Sequence, residues 1–131
     1  MNLNPEMIKT SFLRAKPFIQ DITETFYKRL LCDHPNLKQS FDRVDMVEQQ
    51  RSLIHSLSYI VNQLENREKL QIYIKSLLGR QEEYGLMIQH FELYSEALIT
   101  TFKEYFRSHW TEALNQQWTL LFKMLHGMLR P

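Results

Sequence analysis

The residues best suited to chemistry in this chain are its five histidines, His34, His55, His90, His109 and His126, and its single cysteine, Cys32. A metal site would need several such ligands on one face, most simply as an i, i+4 pair on a helix. No two of the histidines stand four apart. His55 lies six residues beyond Gln49, which places it on the opposite side of a shared helix. A Ser/His/Asp or Cys/His nucleophile set draws on the same residue types, but the spacing assembles none, and no glycine-rich phosphate loop occurs. Chemistry by metal ligation, covalent attack or phosphate cradling therefore has no footing in local motifs. What remains is binding, and the elements that could shape a pocket.

Those elements are helical. Only three glycines and four prolines punctuate 131 residues, and no strand-like alternation recurs. A chain of this length fits one domain and buries roughly two-thirds of its unfolded surface. Asn4-Pro5-Glu6 reads as a helix start, with a capping asparagine followed by a proline whose missing N–H is not needed there. Lys16-Pro17 interrupts that helix. Phe18, Ile22, Phe26 and Leu30 mark the second helix, which His34-Pro35 ends. Asp45-Met46-Val47-Glu48 reads as a capping box opening a third helix through Leu53, Leu57, Ile60 and Leu64. Asn66 caps a fourth, read as running to Tyr84-Gly85, where glycine would supply a left-handed C-terminus. Phe91 to Tyr105 and Leu114 to Leu129 carry the last two apolar faces, with Thr111 as the final cap.

Sixteen Lys and Arg against fifteen Asp and Glu, without a charged block, argue against a nucleic-acid surface. Absence of a basic stretch leading into an apolar segment, and of any long apolar run, argues against secretion and membrane spanning. One cysteine excludes an intrachain disulfide, and a cytoplasmic location is the expectation.

The stretch Leu77-Leu78-Gly79-Arg80-Gln81-Glu82-Glu83-Tyr84-Gly85-Leu86, followed by His90-Phe91, resembles the bacterial single-domain globins and the globin domain of flavohaemoglobins. Thr25-Phe26-Tyr27-Lys28-Arg29-Leu30, Phe41 after His34-Pro35, the Gln49 and Leu53 pair, and Trp118 follow in the family's order. The resemblance spans about Ile8 to Leu129 and implies an all-α globin fold, six to eight helices around a central pocket, in one domain over residues 1–131. It implies that Tyr27, Phe41, Gln49, Leu53, Leu77, Gln81 and Phe91 line that pocket, with Tyr27 and Gln49 as the donors that stabilise bound oxygen. The implied cofactor is haem b.

The family's iron ligand, however, is a histidine nine residues before His90, and that position holds Gln81. An amide oxygen is a poor ligand for ferrous haem. The tyrosine that makes the family's histidine basic is Phe91 here, and no acidic residue follows Glu112. His90 is the fallback iron ligand. The favoured reading is a binding or regulatory globin, haem-free or atypically liganded, with a small apolar molecule, a protein partner or a second copy as its partners. The alternative is a haem globin that binds oxygen or nitric oxide through a non-standard ligand. An enzyme such as a nitric oxide dioxygenase is the least favoured, because it would need haem and a separate reductase. On the sequence alone the pocket between Tyr27, Phe41, Leu53 and Leu77 should be collapsed by side chains or filled by an apolar molecule. Gln81→His should create or greatly strengthen haem binding, which a haem titration followed by ferrous and carbonmonoxy spectra would measure.

Overall fold

Four of the seven α-helices among the described residues begin where the sequence supplies a side-chain cap. In the computed structural model, which describes residues 2–130, Asn4 accepts the Met7 N–H at 3.1 Å and starts α1, Pro5–Ala15. Met1 and Pro131, the ends of the expected domain, lie outside the described residues. Ile8, Ser11, Phe12 and Ala15 form its buried stripe. Lys16–Phe18 then tightens to a 3₁₀ turn at the proline, and α2 runs Ile19–Asp33. Phe18 does not join the apolar face of α2: it stays 47% exposed, set against Tyr105 with ring centroids 5.7 Å apart.

A 3₁₀ segment, Pro35–Phe41, leads to α3, Met46–Asn62. Asp45 caps α3 by accepting from Val47 N at 3.0 Å and Glu48 N at 3.3 Å. Glu48 turns instead to Arg51, so only half of the capping box forms. Asn66 caps α4, Arg67–Ser76, through Lys69 N at 3.1 Å.

The sequence reading fails just beyond this point. Leu77–Gly79 is a 3₁₀ turn, Arg80 leaves the helical region at φ −117° and ψ 61°, and a new helix α5 runs Gln81–Gln89. Tyr84-Gly85 is therefore inside a helix rather than at its end, and Gly85 has no positive φ. The physical reason lies in the charges: Glu82 and Glu83 fall in the first turn of α5, where the helix dipole favours acidic side chains. His90, at φ −115° and ψ 37°, breaks the chain again before α6, Phe91–Phe106. Arg107 takes φ 50°, a strained value for a residue with a side chain, and Thr111 caps α7, Glu112–Leu129.

Helix α2 packs on α6 and α3, while α7 packs on α1, α4 and α6. Trp118 stands at the junction of α1, α6 and α7. It is buried against Phe12, Phe102 and Phe122 at 6.5, 5.2 and 5.9 Å, and its indole N–H donates to Ser11 Oγ at 2.9 Å. Among the described residues no helix is long and apolar enough to cross a membrane.

Trp118 supports a prediction. Trp118→Ala should destabilise the fold by about 3–5 kcal/mol, as large-to-small changes at packed aromatic sites do. Trp118→Phe, which keeps most of the ring but drops the bond to Ser11, should lose less than half of that. Urea unfolding of both variants measures it, and an alanine cost below about 1 kcal/mol would remove Trp118 from the centre of the core.

Candidate ligand pocket

Five elements contribute to the pocket region. Helix α2 carries Tyr27 inward at 3% exposure, because Tyr27 adjoins Phe26 on the helix's buried stripe. The Pro35–Phe41 turn brings Phe41 edge-on to Tyr27 at 6.1 Å. Helix α6 brings Tyr94, whose ring stands almost perpendicular to that of Tyr27 at 6.0 Å. Helix α3 supplies Gln49 and Leu53, and Leu77 enters from the 3₁₀ turn after α4.

Neither polar donor is free. The Tyr27 hydroxyl donates to the Gln49 carbonyl at 3.4 Å. The Gln49 side-chain amide reaches across to α5 and donates to the Glu83 carbonyl, also at 3.4 Å. From the opposite direction Tyr84 of α5 donates its hydroxyl to the Ser52 carbonyl of α3 at 3.4 Å. Helices α3 and α5 are thus joined directly. Arg80 tightens the start of α5, forking onto Glu83 at 2.7–3.1 Å and covering the Tyr84 ring at 5.1 Å.

Gln81 does not line the interior. It is exposed, and its amide folds back along α5 to donate to the Leu78 carbonyl at 2.8 Å. Gly85 leaves room for this: a Cβ there would come within 2.8 Å of Gln81 Oε1. The register expected to point residue 81 inward fails because Arg80 breaks the helix immediately before it. His90 is half-buried at the junction of α5 and α6. Phe91 is buried, stacked on His126 at 5.2 Å and edge-on to Phe122 at 6.4 Å.

What remains inside is a cavity of about 30 Å³, lined among others by Leu53, Ile74, Leu77, Met87, Phe91 and Tyr94. Leu53, Leu77 and Phe91 thus meet around one space. Tyr27, Phe41 and Gln49 form an adjoining cluster that does not line it, and Gln81 lies outside both. The cavity has no imidazole in its wall, and among the described residues no group of three or more His, Cys, Asp and Glu is placed to hold a metal. A wider, open groove of about 450 Å³ runs between α6 and α7, bordered by Glu92, Glu96, Lys103, Lys123 and His126.

Three residues that the sequence reading did not assign to the pocket matter most here: Ser52, Tyr84 and Tyr94. Tyr94 sits one turn after Phe91 on the same helix face, a relation visible in the sequence. The role of Tyr84 was not, because its partner is a backbone carbonyl 32 residues away.

Burial dominates the titration of the tyrosines. It pushes Tyr27 up to about 12 from the usual 10, against a smaller opposing effect of the Tyr94 hydroxyl. Burial, then Tyr27, drives Tyr94 further above the ordinary range, and burial, then Tyr84, does the same to half-buried Tyr73. Each is a group whose folded pKa is raised. The unfolded chain releases these protons first, so the folded state binds more of them and stability falls as pH rises. The contribution of Tyr27 is complete below about pH 10 and is lost as the pH climbs through about 12, and those of Tyr94 and Tyr73 persist to higher pH. Three of the six tyrosines should therefore resist ionisation until the protein unfolds. Alkaline titration at 295 nm, native against denatured, checks this. Six tyrosines titrating together near 10 in the native protein would refute it.

Comparison with known proteins agrees with the helix order. The family model described as Globin matches residues 24–129. A flavohemoprotein of Rhizobium meliloti (strain 1021) is 26% identical over 110 residues, covering 82% of this chain. The match takes in only 27% of that relative's length, so the chain spans about a quarter of the curated protein it resembles. With the family matched across α3 to α7 and most of α2, this chain belongs to the globin family.

Proposed function

We propose that this globin is a binding or regulatory module that works without haem. The observation that carries the reading is the direct joining of α3 to α5 by Gln49 to Glu83 O and Tyr84 to Ser52 O. Haem is the group the family implies, and the residues present do not fit it. Its plane would have to enter where these two helices touch, the cavity beside Leu53, Leu77 and Phe91 offers about 30 Å³, and Gln81, which the resemblance puts at the ligand position, is exposed.

The same contacts account for a feature that favours haem at first sight. Tyr27 and Gln49 match the family's oxygen-stabilising pair, yet both side chains have structural partners here. Their presence does not require a cofactor. A guest entering this pocket would have to break the two bonds between α3 and α5, each worth about 0.5–1.5 kcal/mol net. Binding would therefore displace α5, a nine-residue helix with non-helical residues at both ends. Such a displacement is the natural output of a sensor, since a ligand shifts an equilibrium only through contacts that differ between two states.

Titration of the purified protein with hemin should give no near-stoichiometric Soret band. Gln81→His alone should change this little, because the new imidazole would start on the outer face of α5, contrary to what the sequence alone suggested. Adding Gln49→Ala and Tyr84→Phe, which release α5, should increase haem uptake well beyond that of Gln81→His. Tight binding by the wild-type chain, with a histidine-type spectrum, would overturn the reading.

A further inference from the structure

Helices α6 and α7 pack side by side and antiparallel. The start of α6 meets the end of α7 where Phe91 stacks on His126, and the end of α6 meets α7 nearer its start, Phe102 against Trp118. The open groove of about 450 Å³ runs along this pair. Glu92, Ser95, Glu96, Ile99, Thr100 and Lys103 line it from α6. Steps of three and four residues put them on one stripe of that helix.

The stripe is polarised. Its first half carries Glu92 and Glu96, its last turn carries Lys103, and the uncharged Ile99 and Thr100 stand between. Glu104, the other charge at that end, is turned to Arg29 of α2. Neither Glu96 nor Lys103 joins an ion pair among the described residues. A stripe that is acidic in one half and basic in the other complements its own reversed copy.

Counting fixes the register. A two-fold axis crossing α6 between Ile99 and Thr100 leaves Glu96 and Lys103 equally far from it, about 5 Å along the helix on either side. Glu96 of each copy then faces Lys103 of the other, the self-matching that an isologous interface requires. His126 Nδ1 lies 3.9 Å from Glu92 Oε1, which sets the level of α7 against α6. By that level the axis passes beside Thr119, and Lys123 falls opposite the neutral Asn115 of the second copy. No like charges of the groove meet.

We propose that this groove is the face through which two copies of the chain associate, α6 antiparallel on α6, with Glu96 of each set against Lys103 of the other. The lining stretch is about 17 Å long on each helix, with axes about 8–10 Å apart. Such a face is smaller than the roughly 800 Å² per partner of a standard interface, so the pair forms and parts with concentration. Phe91, Ser95 and Phe122 border the inner cavity as well as the groove, so the docking face backs onto the wall of the closed pocket.

Sedimentation equilibrium of the full chain, across concentration and at low and raised salt, tests this. Wild type should move from monomer towards dimer as concentration rises, and less so in salt. Glu96→Lys and Lys103→Glu, both at exposed positions, should each weaken self-association about tenfold or more, because each sets like charges face to face twice. An equimolar mixture of these two variants should regain it, since every facing pair is again opposite in sign. The double variant, with both changes in one chain, should associate as wild type does. A wild type that stays monomeric would leave the groove to another occupant and overturn the proposal. Association that both single reversals leave intact would overturn it equally, as would variants that do not recover on mixing. Recovery of Glu96→Lys by Lys123→Glu instead would set α6 against α7 and overturn this register.

Discussion

The architecture of the site depends on one constraint, the contact between the start of α3 and α5. Gln49 and Tyr84 each cross to a backbone carbonyl of the facing element, so the bonds do not depend on which side chains surround them. They fix where α5 lies, and the position of α5 sets how much interior is left between Leu53, Leu77 and Met87. Arg80 contributes from outside by holding the first turn of α5 through Glu83 and Tyr84. The aromatic junction around Trp118, built from α1, α6 and α7, uses none of these residues.

Much of the fold could be read from local signals because those signals are physically local. Asn4, Asp45, Asn66 and Thr111 each cap the helix that follows, as a short polar side chain with free backbone N–H groups beyond it should. The prolines at 17 and 35 end helical runs for equally local reasons. Residues Leu53, Leu77 and Phe91 reach the interior as their helical spacing implies.

The failures share a different cause. Gly85 was read as a helix end because glycine commonly is one. Here the break lies at Arg80, where the side chain is drawn to Glu83 and Tyr84 and two glutamates are positioned to start a helix. That shift of a few residues turns Gln81 from an inward to an outward position, since rotation around a helix is fast along the chain. The crossing bonds were illegible for a further reason. Their acceptors are main-chain carbonyls, which every residue has, so no residue type advertises them.

The smallness of the inner cavity also governs how the molecule responds to compression. The volume change on unfolding scales with the internal void that unfolding eliminates. The cavity beside Leu53, Leu77 and Phe91, at about 30 Å³, gives pressure little to work against. The groove between α6 and α7 adds nothing to that account, because solvent already reaches it. With α5 drawn onto α3, that part of the molecule has the stiffness of a packed core rather than the compressibility of an open chamber.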